Sequence, residues 1–442
     1  MAELAGILGA DRLSDEHGTP VLTPRDAAEV STLLETASKT GLALVVRGGG
    51  TKTSWRPTPT RCDAILSTAA LAGIVDRQPG DMTLVAQAGT PLAALQADVT
   101  GDATHRQRLM LDGVGGAAST LGGILATRAA GPRRQRYGTP RDIVIGARYV
   151  TGDGLAAKTG GTVVKNVAGY DLAKLLIGSQ GSLAVITEVS LKLNPVPDVA
   201  RTVVLRTTDA AAVAAFVAAV RTASITATVF DVRWPEGIVA IRIESTPDGA
   251  AAQVELLQGF AQLEELSPEA GDALLEEHLA FPFTGVGAVL GVGVRPEHLP
   301  TLLAAVAAVD GQFVGRATLV AGDIVLPDLD PERIGRVVQA IRDLGGNVQA
   351  RRGDETHRLA ATTAAPGVAM VEAEVGDPAR DPGYNSTSRM VLEAALTLAL
   401  QRPELDADAR VLKGGVLTPA SALGATYVER LRKAGFTLEV KP

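Results

Sequence analysis

Thr162-Val-Val-Lys-Asn-Val-Ala-Gly-Tyr-Asp-Leu-Ala-Lys-Leu-Leu-Ile-Gly-Ser-Gln-Gly-Ser-Leu-Ala-Val-Ile-Thr-Glu-Val189 decides the reading of this chain. A polar cluster (Lys165, Asn166, Tyr170, Asp171) leads into a short helical stretch. Two glycine turns, Gly178 and Gly181, then lead into a buried strand over Leu183–Val189. Such a run sets backbone amides and a few polar side chains beside an apolar wall, as a flat cofactor with a polar tail requires. Tyr170 and Asp171 also read as helix N-terminal residues, and Lys165 and Asn166 as loop polars.

Two further glycine turns lie upstream. Arg47-Gly-Gly-Gly-Thr-Lys52 follows the apolar run Leu42–Val46, which reads as a buried strand. Three glycines permit positive φ and close backbone approach, so their N–H groups can cradle an anion; a simple tight turn is the other reading. No Gly-Lys-Ser/Thr follows at phosphate-loop spacing, and no Gly-x-Gly-x-x-Gly opens a helix, which sets aside the Walker and Rossmann fingerprints. Thr120-Leu-Gly-Gly-Ile-Leu-Ala-Thr127 has the same character, reading either as a helix entry or as a second anion cradle. Between them and the opening stretch, Gly131-Pro-Arg-Arg-Gln-Arg-Tyr-Gly-Thr-Pro-Arg-Asp142 concentrates Arg133, Arg134, Arg136 and Arg141. A planar guanidinium suits a phosphate or a substrate carboxylate, although a charge run is also an ordinary solvated loop. Asp142 can equally cap a turn before the strand Ile143–Val150.

Composition narrows the classes. The chain has 442 residues, 46% hydrophobic and 21% charged, with a net charge of -7. That is a globular composition, long enough for two or three domains, with no basic block to bind nucleic acid. The Ala-rich run Ala210–Val220 is too short to span a bilayer, and no signal peptide is read at the N-terminus. With one cysteine, Cys62, and five scattered histidines, neither a disulfide framework, a cysteine-bound cluster nor a metal site is expected. Redox chemistry would then rest on an organic cofactor, and a cytoplasmic setting is expected.

Thr23-Pro24 starts a helix expected to run to about Lys39 and stop at Gly41. Strands at Ala64–Ser67, Gly73–Asp76 and Thr83–Ala86 follow, and Thr90-Pro91 opens another helix. Asn194-Pro-Val-Pro197 reads as a stiff extended linker. Beyond it the element order changes. Strand 201–206, helix 209–222, strands 227–234 and 237–244, and helix 248–266 make one unit. Strand 286–294, helix 297–309, strands 311–320 and 322–326, helix 330–344 and strand 345–351 make another. Two ferredoxin-like halves are predicted to share one sheet. Helices are expected at 389–401 and 420–433. The fold class is α+β: a two-part domain over 1–197 (subdomains about 1–72 and 73–197), a ferredoxin-like domain over 198–352, and a C-terminal extension over 353–442 of uncertain role.

Taken in order, Arg-Gly-Gly-Gly-Thr (47–51), Thr-Leu-Gly-Gly (120–123), Gly-Pro-Arg-Arg (131–134), Arg-Asp (141–142), Val-Lys-Asn-Val-Ala-Gly-Tyr-Asp-Leu (164–172) and the Gly-Ser-x-Gly-Ser-Leu-x-Val-Ile-Thr-Glu-Val run (178–189) resemble the PCMH-type, or vanillyl-alcohol oxidase, FAD-binding family. Within it they look most like the FAD-binding E-subunit group of glycolate oxidase. The resemblance covers about residues 11–197 by motif and 198–352 by element order.

The resemblance implies FAD in extended form. Its contacts would be Gly48, Gly49, Gly50, Thr51 and Lys52, Thr120, Gly122 and Gly123, Gly131, Arg141 and Asp142, and Gly181 and Ile186. Relatives that attach FAD covalently use a histidine in the first glycine loop; this loop has none, so non-covalent FAD is implied. The implied reaction is oxidation of a small 2-hydroxy acid such as glycolate or D-lactate by hydride transfer to flavin N5. Arg133 or Arg134 would grip the carboxylate, and Lys165, Asn166 and Tyr170 would face the chemistry. Electrons would pass to a separate partner, with a homologous FAD subunit and an iron–sulfur subunit implied, and membrane association only through such partners. The C-terminus, Arg432-Lys-Ala-Gly-Phe-Thr-Leu-Glu-Val-Lys-Pro442, departs from the family's closing Asp-Pro-x-Gly-x-x-Asn-Pro-Gly-like segment, and His357 stands alone. Two alternatives stay open: a catalytically silent FAD-binding relay subunit, or a flavin oxidase of sugar or lactone alcohols on the same fold.

Overall fold

A computed structural model describes residues 2–55, 59, 61–162, 171–285 and 287–352, and two short strands beyond. Residues 1–362 form one compact unit and 363–442 a second. In the second, Val371–Glu372 pairs antiparallel with Glu439–Val440. The helices expected at 389–401 and 420–433, and His357, lie outside the described residues.

The N-terminal part of the first unit has two sheets. In the first, strands run in the order Leu13–Glu16, Thr19–Leu22, Ala64–Ser67, Leu44–Arg47. The last three are parallel. Helix Ala27–Thr40 lies between this sheet and the next: its Val30 and Leu33 share a core with Leu22, Leu66, Val150 and Val185. The cap of this helix differs from expectation. Asp26, not Thr23, accepts the Glu29 N–H at 2.9 Å, because the helix begins only at Ala27. Gly41 ends it in the left-handed region at φ 67°, as expected.

The second sheet is antiparallel throughout, in the order Ile74–Gln78, Thr83–Gln87, Ala184–Lys192, Val144–Thr151, Ala156–Gly160. Helices Leu92–Gly101 and Leu121–Thr127 cover it, burying Leu92, Leu95, Leu121 and Ile124 against Leu84, Ala86 and Val189. The Asn194–Pro197 linker is more than a spacer. Asn194–Pro195 pairs with Gln107–Arg108, and Val196 N–H donates to Arg106 O at 2.8 Å.

The following sheet has eight antiparallel strands. Their order is Glu264–Leu266, Val199–Arg206, Ile238–Ser245, Ala227–Trp234, Gln312–Arg316, Ala321–Val325, Val289–Gly293, Asn347–Arg352. Numbered within each half, this is 4-1-3-2 meeting 2-3-1-4, so two βαββαβ halves join through their second strands. The expected helix over 248–266 is corrected. It spans Pro247–Gln258 and breaks at Gly259; Glu264–Leu266 is the fourth strand of its half, and Ser267 caps an additional helix, Pro268–Ala280. The apolar periodicity runs on past Gly259 and hid that break.

Strand alternation sorts the two faces of this sheet. Phe230, Val232 and Trp234 enter a core covered by helices Ala210–Thr222, Pro247–Gln258, Leu299–Ala307 and Pro331–Asp343. Asp231 and Arg233 face the other way, toward the N-terminal part. Arg108 grips Glu244 with both Nη atoms, at 3.1 and 2.5 Å. Trp55 stacks on Phe283 with ring centroids 5.7 Å apart, and Ser54 Oγ donates to Arg351 O at 2.9 Å.

Candidate functional site

The glycine turns expected to cradle an anion converge on one cleft. It is lined by Val46–Thr53, Trp55, Thr68, Thr120, Gly122, Gly123, Ala126, Thr127, Gln180, Gly181, Ala184 and Ile186, and encloses about 760 Å³ of space open to solvent. Of the residues proposed for a cofactor, Gly48, Gly49, Gly50, Thr51, Lys52, Thr120, Gly122, Gly123, Gly181 and Ile186 all line it.

The glycines are needed first for the turns to meet. A Cβ at Gly49 would come 1.7 Å from Ala118 O, and one at Gly48 2.2 Å from Thr120 Oγ1. Leu121 and Gly122 N–H donate to Thr90 O and Ala88 O at 2.9 and 2.7 Å, pinning the second turn to the sheet. Thr120 caps helix Leu121–Thr127 by accepting from Gly123 N. On the far wall Gln180 and Gly181 both sit in the left-handed region, and Gln180 N–H donates to Ala126 O at 2.7 Å.

Lys52 is the charged group at the centre of this wall. Its ammonium is buried and hydrogen-bonds Thr51 Oγ1 at 2.9 Å and Ser119 Oγ. Ser119 Oγ in turn donates to Val114 O at 2.5 Å. No carboxylate pairs with Lys52 among the described residues, and burial pushes its pKa down to about 8. Arg47, by contrast, is engaged by Glu16. A buried, unpaired ammonium beside closely apposed backbone turns is the donor set that a diphosphate needs, so the residues present fit an extended dinucleotide.

Other candidates sit elsewhere. Gly131 and Arg133 wrap a buried Asp112: both backbone N–H groups donate to Asp112 Oδ2, at 3.0 and 3.1 Å, and Arg133 Nη1 donates to Oδ1 at 2.9 Å. Asp142 accepts from Thr139 N–H at 2.7 Å in a capping box, and Arg141 is exposed with its carbonyl held by Lys174. Neither lines the cleft. Arg134 is part-buried at the start of helix Arg134–Tyr137, which packs on strand Ala227–Trp234. Burial, reinforced by Arg316, Arg128 and Arg351, pushes its pKa down to about 10. Lys165, Asn166 and Tyr170 lie outside the described residues.

The sequence reading missed Trp55, Ser119, Asp112 and the charged face of the eight-stranded sheet. That face had a signal. Asp231 and Asp323 each interrupt an apolar strand, in Val-Phe-Asp-Val and Gly-Asp-Ile-Val. Among the described residues no group of three metal-binding side chains occurs, and no helix is long and apolar enough to cross a membrane.

Two α+β sheets enclosing a glycine-walled cleft, topped by a double ferredoxin-like sheet, define an FAD-binding fold of the PCMH type. Residues 19–160 match the family described as FAD binding domain. Over 176 residues the chain is 36% identical to D-lactate dehydrogenase of Archaeoglobus fulgidus, covering 40% of this chain and 38% of that protein. Over 126 residues it is 43% identical to glycolate oxidase subunit GlcE of Escherichia coli, covering 28% and 35%. The matches thus span less than two fifths of these relatives. Among solved structures, p-cresol methylhydroxylase with substrate bound superposes with a TM-score of 0.65 at 14% identity, over 91% of this chain and 94% of that one. Alkyldihydroxyacetonephosphate synthase superposes with a TM-score of 0.64 at 18% identity, over 78% and 79%. At these identities the superpositions establish the fold.

Proposed function

We propose that this chain is an FAD-dependent dehydrogenase subunit that oxidises a small 2-hydroxy acid such as glycolate or D-lactate and passes the electrons to a separate partner. The observation that carries the reading is Lys52, buried in the glycine-walled cleft beside Thr51 and Ser119 with no carboxylate partner among the described residues. Lys52 would meet the diphosphate, and Arg134 the carboxylate of the hydroxy acid. Residues 1–197 would hold the cofactor, 198–352 would close the substrate side, and 353–442 would form an extension. Bound FAD would supply the hydride acceptor, and the hydroxyl proton would leave to solvent or to a neighbouring base. Non-covalent attachment fits the cleft, whose described lining contains no histidine. Glycolate oxidase GlcE and D-lactate dehydrogenase among the relatives favour this substrate class. Partners of the kind a glycolate oxidase subunit assembles with, including an iron–sulfur subunit, and a cytoplasmic setting complete the proposal.

A second reading has its own observation. No carboxylate or imidazole lines the described part of the cleft, which leaves the Lys52 amine, assigned above to the diphosphate, as the described side chain there that could take the hydroxyl proton. A catalytically silent FAD-binding relay subunit would look the same. Visible spectra of the purified protein, before and after acid precipitation, test the cofactor: yellow supernatant supports non-covalent FAD, and absence of flavin overturns the reading. Anaerobic bleaching by glycolate or D-lactate supports the dehydrogenase. Bleaching only when a partner subunit is added supports the relay.

A further inference from the structure

The edge strand Asn347–Arg352 of the eight-stranded sheet is irregular at one point. Val289 faces Arg352 and Leu290 faces Ala350, so Arg351 is an extra residue with nothing opposite it. Such a bulge re-aims a side chain and frees backbone groups from the ladder. Arg351 uses both. Its carbonyl accepts from Ser54 Oγ at 2.9 Å. Its guanidinium crosses the neighbouring strand at Gly291, where a Cβ would come 2.5 Å from Arg351 Nε. It reaches Asp323, opposite Gly291 on the strand beyond, with Nη1 2.9 Å from Oδ2. The same guanidinium lies over Trp55, 4.5 Å from the ring centroid. Trp55 is buried and stacks on Phe283, just past the end of helix Pro268–Ala280.

Trp55 serves both sides of this contact. It is the aromatic side chain in the described lining of the cleft. It also closes the short turn Thr53–Trp55 that continues the first glycine turn. Trp55 N–H donates to Lys52 O at 3.0 Å, and Thr53 Oγ1 donates to Gly50 O at 3.1 Å. A shift of the indole therefore drags the carbonyl of Lys52 and the turn that carries its ammonium. Asp323, Arg351, Trp55 and Lys52 form one continuous chain of contacts, from the interior of the eight-stranded sheet to the glycine-walled cleft.

We infer that Arg351 is a positioning residue for the cofactor site, acting through Trp55. The eight-stranded sheet thereby sets the shape of the FAD cleft, and bound FAD in turn tightens the edge strand Asn347–Arg352. Arg351 does not line the cleft, so its part is not catalytic. A guanidinium over an indole face is attracted by the ring, and the Asp323 carboxylate fixes its other end, which leaves the ring little freedom. Coupling of this kind is reciprocal: whatever factor the sheet contributes to FAD affinity, FAD returns to the sheet. The inference rests on the FAD reading and is independent of which substrate the flavin oxidises.

The test uses the full chain, stripped of flavin and reloaded with FAD. Amide hydrogen exchange over residues 347–352 is compared with and without FAD, and FAD affinity is followed by flavin fluorescence. In the unaltered protein FAD should slow exchange in that strand by about tenfold. Arg351→Met should weaken FAD binding by about tenfold and remove the slowing. Ile341→Ala, in the core on the other face of the sheet, separates this from a loss of packing. It should lower the melting temperature yet leave FAD affinity within about twofold. Exchange in 347–352 that ignores FAD, undiminished FAD affinity in Arg351→Met, or equal weakening by Ile341→Ala would overturn the inference. If Arg351→Met fails to fold, the exchange of the unaltered protein decides, together with Ser54→Ala, which removes only the hydrogen bond to Arg351 O and should weaken FAD in the same direction. A chain that takes up no flavin would overturn the cofactor reading and this inference with it. A bound flavin that no hydroxy acid bleaches would sink the dehydrogenase reading alone.

Discussion

Lys52 is a base held in a place that disfavours its charge. Its pKa near 8, against an ordinary value of 10.5, means that the unfolded chain binds one more proton between those limits. The cofactor-free protein should therefore gain stability as pH rises through that window, because the folded state no longer keeps an unmatched ammonium buried. Lys52→Met should stabilise the cofactor-free protein at neutral pH by on the order of 3 kcal/mol at most, seen as a higher melting temperature. A diphosphate beside the ammonium reverses the balance. FAD affinity, followed by flavin fluorescence, should fall above about pH 8 by up to tenfold per pH unit. Lys52→Met should bind more weakly and without that pH dependence. A flat profile in the unaltered protein would place Lys52 away from the phosphates. Gly49 acts through sterics. Gly49→Ala sets a methyl 1.7 Å from Ala118 O, so the two turns must part. Loss of FAD with a drop of about 3 kcal/mol or more is expected in thermal unfolding.

Caps and breaks decide the elements, and here the sequence was only partly legible. Gly41 ended its helix where expected because only glycine takes that φ without strain. The start was misjudged, since Thr23-Pro24 and Asp26 both resemble an N-cap and only the packing of Val30 and Leu33 chooses between them. Asp26→Ala should therefore cost about 1 kcal/mol in chemical denaturation, whereas Thr23→Ala should cost little. The glycine-walled turns were readable because close backbone approach demands glycine. Ser119 and Asp112 were not, because a polar residue in a loop has no period, and what makes them matter is burial by segments distant in sequence.

At the scale of the whole molecule, Arg108 and Glu244 join the two parts of the first unit. Glu244 is almost fully buried, and Arg108, Arg136 and Arg242 all converge on it. Glu244→Gln leaves the Arg108 guanidinium buried with a neutral partner. A loss of about 3 kcal/mol is expected, together with faster proteolysis at the Asn194–Pro197 crossing. Unchanged melting and cleavage would show that apolar contacts such as Trp55 on Phe283 suffice. The element order of the second half was visible from sequence, and that of the first up to its fourth strand, Glu264–Leu266; their joining through second strands was not, since strand periodicity says nothing about which edges meet.

That joining also bears on descent. Both halves turn the same hairpin, with Arg233 opposite Ile238 in one and Arg316 opposite Ala321 in the other, four residues between each pair. Superposing the hairpins equates Arg233 with Arg316 and Asp231 with Val314. At the seam Val232 faces Gly315, so a pseudo-twofold axis passes through that pair and exchanges the two equated sets. This is the pairing that two identical subunits would make across a dyad, and a duplicated and fused gene would leave it. The axis still relates two arginines. The acid beside it, Asp231, stands on one side only, with Val314 at the equated position, which leaves the charge of the seam lopsided.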